Sequence, residues 1–360
     1  MPRSGRLRGT SGPRALLVGV LGLLILAGCT RQYIVERGPQ AYYQTAFPIH
    51  DTSRDLTRVL EAVKRINVTA VYETYFFPEE DAPSEDEALT PAVLAQALDT
   101  ITSQTTRAAT AVRLSMRGRN GLLLTAQHAI HLPDTLVQYF DRGGAADGAR
   151  RAPGARARRI RTVSILVHRA NWLLDAPSLV PFRVLVEDPS SDLAFIGYSY
   201  PRDRDPEEAP MLPVRAGRSE RLSWGSFVYA IGYPSGYPMV TRGIVSASED
   251  YPSDAFVIDG LWNEGMSGGL VLGVRGDTGA LEWVGMARAS AATTEYRLAA
   301  PEGVEETHEP WRPYDGPIFI EEIRRIQYGI TLAVPMSRIR TFLREHQETL
   351  RAQGYQAPSL

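Results

Sequence analysis

Ser267 stands in the run Trp262-Asn263-Glu264-Gly265-Met266-Ser267-Gly268-Gly269-Leu270. A serine set among glycines is either a polar residue in a sharp turn or a nucleophile. Its hydroxyl attacks weakly until a base takes the proton, so the second reading requires a suitable histidine elsewhere. The chain has six histidines, His50, His128, His131, His168, His308 and His346. His128 closes the phrase "GLLLTAQH", where the end of a strand would aim its ring. His131 completes an H-x-x-H pair with it, but a zinc site needs further ligands, and neither cysteines nor a third clustered histidine accompanies the pair. No metal and no cofactor is expected. A base histidine also needs a carboxylate to select its tautomer and stabilise the imidazolium. "EDPSSDLAFIGY" offers Asp188 and Asp192, and Asp192 is preferred because it leads directly into the apolar run Leu193-Ala194-Phe195-Ile196. Taken alone, Asp192 reads first as a turn residue at a strand start.

The elements that must position these groups are mostly strands. Residues 53–66, "SRDLTRVLEAVKRI", place Leu56, Val59, Leu60, Val63 and Ile66 at helical spacing behind a Ser53 cap. "NVTAVYETYFF" is rich in β-branched and aromatic residues and reads as a strand. "PEEDAPSEDE" is an acidic surface loop, and "TPAVLAQALDTI" puts Pro91 at the first position of a short helix. From Arg107 onward the chain becomes short apolar runs broken by turn residues, among them "AATAVRLSM", "GLLLTA", "FRVLVE", "LAFIGY", "SFVYAIGY", "GLVLGV" and "YGITLAVP". That cadence predicts an antiparallel all-β barrel or sandwich and excludes βαβ units. "DRGGAADGARRAPGARARRI" is a basic low-complexity insertion. "SRIRTFLREHQETLRAQ" is an amphipathic helix that closes the sequence.

Composition bounds the partners. The formal net charge is −2 over 360 residues, but residues 1–28 hold four arginines and no acid. Removing those four from 39 basic residues leaves 35 against 41 acidic ones, a net charge of −6. Such a chain is not built for nucleic acid. Arg3, Arg6, Arg8 and Arg14 precede the apolar run Ala15–Ala27, too short for a membrane span and right for a signal-peptide core. The run ends Leu26-Ala27-Gly28-Cys29, which resembles the bacterial lipobox, and Cys29 is the only cysteine. The expectation is cleavage before Cys29, lipid on that residue, and a cell-envelope location. Thr30 follows, not aspartate, which favours the outer membrane with the protein facing the periplasm. An ordinary cleaved signal or an uncleaved anchor is the alternative.

Seven phrases then fall in one order. "LLLTAQHAI", "SSDLAFIGY", "FVYAIGYPSG", "VTRGIVSA", "NEGMSGGLVL", "WVGMA" and "YGITLAVPMSRI" resemble, in sequence, the trypsin-like domain of HtrA/Deg-type serine proteases over roughly Val68 to Leu343. The resemblance implies an all-β, two-barrel chymotrypsin/trypsin-like fold with short N- and C-terminal helices. It also implies a triad of His128, Asp192 and Ser267, an oxyanion hole from the backbone N–H groups of Gly265 and Ser267, and protein or peptide substrates. A slot for the residue before the scissile bond would be lined by Leu261, Trp262, Gly285, Met286 and Ala287. The chain would divide into a signal peptide (1–28), a tether (29–50), a protease domain (51–345, with insertions near 78–105 and 141–161) and a tail (346–360). Glu264 and Met266 stand where the family has proline and a polar residue, and too few residues follow Leu343 for that family's PDZ domain. These departures leave open an inactive protease-fold lipoprotein that acts as a binding or scaffold protein.

Overall fold

In the computed structural model, residues 41–48, 51–140, 157–175, 178–202, 210–247, 255–299 and 319–360 are described. The lipobox with Cys29 and most of the basic insertion lie outside them. Leu122, Leu123 and Leu124 follow one another in strand β3 (Asn120–Ala126), and all three are fully buried. Consecutive burial requires apolar surroundings on both faces of the strand. The same holds for β7 (Leu193–Ser199) and β12 (Leu270–Val274). Two closed barrels supply those surroundings.

The first barrel runs β1 (Val63–Phe76), β2 (Asp99–Arg117), β3, β7, β6 (Ser178–Asp188) and β5 (Ile160–Asp175), and β5 pairs back onto β1. Strand β4 (Thr135–Tyr139) is added to β5. The second runs β12, β9 (Phe227–Gly232), β10 (Met239–Ala247), β11 (Phe256–Asp259), β14 (Phe319–Pro335) and β13 (Leu281–Ala299), and β13 closes onto β12. The short β8 (Arg215–Ala216) lies parallel to β13, and the other pairings are antiparallel. This is the two-barrel, chymotrypsin-like architecture expected from the sequence.

Two element boundaries differ from the sequence reading. Helix α1 covers only Ser53–Ala62, and Val63 already begins β1. Val63 and Ile66 fit a helical stripe, but β1 is hydrogen-bonded on one side to β2 and on the other to β5, and those ladders override local periodicity. Thr52, not Ser53, takes the cap position, and the Asp51 carboxylate accepts the Ser53 N–H at 2.9 Å. Likewise α2 is one turn, Pro91–Leu94, after which β2 starts at Asp99. Asp99, Thr100 and Ile101 are therefore extended, held by 14 rungs of pairing between β1 and β2.

The C-terminal helix belongs to the protein's core. Helix α4 (Met336–Ala352) buries Ile339, Phe342, Leu343 and Leu350 along one face. The Phe342 ring stacks on Phe195 of β7 at 4.5 Å, so the segment leaving the second barrel packs against the first. The helix ends in a left-handed glycine: Gly354 has φ 88°, its N–H reaches Arg351 O, and the Tyr355 N–H reaches Leu350 O. That turn drives the Tyr355 ring back under Gly197, where it is buried. Residues 346–360, read from sequence as a tail beyond the domain, thus include the last turns of α4 and a core side chain.

Candidate active site

The nucleophile, the base and the orienting carboxylate predicted from sequence meet at the seam between the barrels. Strand β3 ends at Ala126, and the single helical turn α3 (Gln127–Ile130) carries His128. Arg107 Nη1 donates to the carbonyls of His128 and His131, both at 3.1 Å, and so satisfies the open end of that turn. The turn Asp188–Ser191 delivers Asp192, which is buried and has φ 57°, a left-handed conformation uncommon outside glycine and asparagine-like residues. Two bonds fix it there. Its carbonyl accepts the Gln127 N–H at 3.2 Å, and its Oδ1 accepts the His128 N–H at 2.9 Å.

His128 Nδ1 lies 2.8 Å from Asp192 Oδ2 and 3.0 Å from Oδ1. A carboxylate can only accept, so Nδ1 carries the proton and Nε2 presents its lone pair. Ser267 Oγ is 2.9 Å from that Nε2. The carboxylate side chain is 6% exposed and the imidazole 46%, so the charge is sheltered while the ring stays open to a reactant.

The loop that carries Ser267 is held against the first barrel by Thr110 of β2. Its N–H donates to Ser267 O at 2.9 Å, and its hydroxyl donates to Gly265 O at 2.6 Å while accepting the Tyr233 N–H at 2.9 Å. Gly268, at φ 85°, packs against the Thr110 carbonyl so closely that a Cβ would collide with it. Gly265, at φ 99°, packs as closely on the Tyr233 carbonyl. Both positions therefore require glycine.

The peptides on either side are oriented too. The Glu264 carbonyl accepts the Ser235 N–H at 2.9 Å, and the Met266 carbonyl accepts the Gly269 N–H at 2.8 Å. In a trans peptide the N–H points opposite to the C=O, so the Gly265 and Ser267 N–H groups face away from those partners. Neither donates to another described protein group.

Sequence reasoning missed two residues here. Arg288 Nε lies 3.3 Å from Asp192 Oδ2, the oxygen that also receives His128 Nδ1. Its carbonyl also accepts from Ser267 Oγ at 3.0 Å. The single hydroxyl proton thus has two acceptors in reach, His128 Nε2 and Arg288 O. Thr110 was likewise not singled out. Arg288 lies in the strand phrase "WVGMARA", where no neighbouring residue marks its contact with Asp192.

The remaining candidates are placed as follows. His131 Nδ1 is 3.5 Å from Glu187 Oε2, and Gln127 Nε2 donates to the same oxygen at 3.0 Å. Leu261 is 64% exposed, whereas Trp262, Gly285, Met286 and Ala287 are buried. Trp262 packs with Phe256 and Met266, and a Cβ on Gly285 would press on the Phe256 ring. Glu264 is exposed.

Residues 109–281, which contain His128, Asp192 and Ser267, match the model of the trypsin-like peptidase domain family. Over 102 residues the chain is 37% identical to the probable periplasmic serine endoprotease DegP-like of Ectopseudomonas mendocina (strain ymp). That match covers 26% of this chain and 20% of the relative, so the two share about a fifth of the relative's length.

Asp188 gives the site a stability signature. Burial opposes its ionisation, but hydrogen bonds from Ser190 and Ser191 outweigh that and hold its carboxyl below the ordinary value of 3.8. A depressed folded-state value stabilises above the unfolded value, and the contribution is lost as pH falls through the folded one. Asp188→Asn is expected to melt at lower temperature than the wild type at pH 6–7, with the gap closing below about pH 4. Thermal unfolding as a function of pH measures this, and a gap that stays constant down to pH 2.5 contradicts it.

Proposed function

Because the chain carries a trypsin-like serine peptidase domain of the HtrA/Deg type, we propose that it is a lipid-anchored endopeptidase of the bacterial cell envelope whose triad is His128, Asp192 and Ser267. The observation that carries this is the continuous chain from the Asp192 carboxylate through the imidazole to Ser267 Oγ, with links of 2.8 and 2.9 Å. Ser267 Oγ attacks the carbonyl of a peptide bond as Nε2 takes its proton. The imidazolium that forms is stabilised by Asp192, which keeps its negative charge. Collapse of the tetrahedral intermediate expels the amine, protonated by His128, and leaves an acyl-enzyme on Ser267. Water, deprotonated by the same His128, then releases the acid. The N–H groups of Gly265 and Ser267 receive the developing oxyanion, at about 3 kcal/mol for each donor.

Ser267→Ala is expected to lower kcat by about a millionfold and Asp192→Asn by about ten-thousandfold. Turnover of an unfolded protein substrate by the purified variants measures both. Wild-type turnover in Ser267→Ala would refute the triad, whereas no turnover by the wild type itself would leave the alternative, an inactive scaffold in which the hydroxyl rests on Arg288 O.

The slot for the residue before the scissile bond is assigned to Leu261, Trp262, Gly285, Met286 and Ala287. None is acidic, so a buried arginine or lysine there lacks a partner and costs several kcal/mol. Burying valine, leucine or alanine gains about 25 cal/mol per Å². Cleavage of a random peptide library is expected after these small and medium apolar residues. Dominant cleavage after arginine or lysine would assign the specificity to Glu264 instead.

Anchoring rests on Leu26-Ala27-Gly28-Cys29 alone, and the periplasmic naming of the relative supports only the cell-envelope location. Outer-membrane placement, facing the periplasm, follows from Thr30. Labelled palmitate is expected in the wild-type protein and absent from Cys29→Ser. Equal labelling of the two, or none in the wild type, refutes the anchor.

A further inference from the structure

Strand β2 is 19 residues long, and its pairing changes side along its length. Asp99 to Val112 pair with β1 and Ala111 to Arg117 with β3, so only Ala111 and Val112 lie between the two, and among the described residues Asp99 to Ala109 pair with β1 alone. Every residue from Asp99 to Arg107 is exposed. Its register with β1 runs without a bulge, and the stretch contains no proline or lysine to guard the edge. An edge of this length, flat and unguarded, invites pairing with another strand.

Its polarity follows from the site. The Thr110 N–H leaves β2 on the side away from β1, to reach Ser267 O, and the Thr110 carbonyl accepts Thr125 Oγ1 on that side at 2.7 Å. Backbone groups alternate along an antiparallel strand. Ala108, Thr106, Gln104, Thr102 and Thr100 therefore turn their N–H and C=O outward, over about 30 Å of edge. The edge departs from Ser267 on the side of His128, because Arg107 is bonded to the His128 and His131 carbonyls. That is the side from which the leaving amine takes its proton, and so the side of the substrate's C-terminal arm. The arm runs away from Ser267 and β2 runs towards it, so the two are antiparallel.

We infer that the free edge of β2 from Thr100 to Ala108 is an extended subsite, where the C-terminal arm of an unfolded polypeptide substrate adds as an antiparallel strand. The inference rests on the triad reading above. The occupant is defined by its main chain. The exposed side chains between Asp99 and Arg107 are threonine, serine, glutamine and one isoleucine, with no apolar pocket, so the edge selects extended backbone and not sequence. It takes about ten residues beyond the cut and rejects backbone nitrogens without a proton at every second position. Proteins cut far from their C-terminus fit it, and short peptides do not use it.

The test compares two quenched fluorogenic peptides with one N-terminal half and arms of two or ten residues, the longer built from threonine, serine and valine. The expected result is a kcat/KM at least tenfold higher for the long arm, mostly through KM. N-methylation at alternate arm residues should abolish that gain in one parity and preserve it in the other. Gln104→Pro removes only an outward N–H and should erase the gain while short-arm turnover stays at the wild-type level. Equal kcat/KM for both arms, or equal tolerance of both methylation parities, overturns the subsite. Equal arms together with a dimer that Gln104→Pro dissociates would overturn it in favour of a second copy of this chain. Failure to cleave even the short substrate would refute the triad reading, and the subsite with it.

Discussion

Thr110 is the point on which the arrangement depends. It is fully buried and belongs to the first barrel, yet its N–H and hydroxyl bind the carbonyls of Ser267 and Gly265 in the second. A buried hydroxyl and amide left without these partners would cost about 1–3 kcal/mol each, so the contact is maintained only when the two barrels are in register. His128 and Asp192 both sit on the first barrel and Ser267 on the second. Together with the Arg288–Asp192 contact, the Thr110 link sets the 2.9 Å between Nε2 and Oγ across the seam. The glycine at 268 is the other half of the same contact, since any side chain there would push the seam apart.

Local strain is placed where this seam needs it. Asp192 and Gly265 both take left-handed backbone conformations, and each is held by hydrogen bonds on both flanks. Such conformations persist only where the surroundings over-determine them. At Asp192 they do so through the His128 and Gln127 N–H groups and through the Asp188 turn. The buried carboxylate is met by a backbone N–H, an imidazole N–H and the Arg288 guanidinium, which together replace the water it has lost.

Much of this was legible in the sequence because the chemistry-bearing residues sit in compact phrases. "TAQHAI", "SSDLAFIG" and "NEGMSGG" each join a strand end to one side chain of the proposed triad, and the apolar strands give each phrase a fixed origin. The boundaries were less legible. Val63 and Ile66 match a helical period as well as a strand, and only their two β partners decide between them. The extension of β2 back to Asp99 has no buried face, so no hydrophobic pattern announces it; its partner β1 imposes it. Arg288 was hidden for a similar reason, since its role is a contact with Asp192 from nearly a hundred residues away. Tyr355 reads as a tail residue until the Gly354 turn is seen to fold it inward.

On the proposed mechanism the seam makes Ser267 alone, among the serines of the folded protein, nucleophilic. The most direct measurement is reaction of the native protein with a fluorophosphonate, followed by tandem mass spectrometry of the adduct. One phosphonyl group per chain is expected, on Ser267, formed by the wild type and lost in His128→Ala. An adduct on a different serine, or a native protein left unmodified while the probe labels a known serine hydrolase in the same tube, would contradict it.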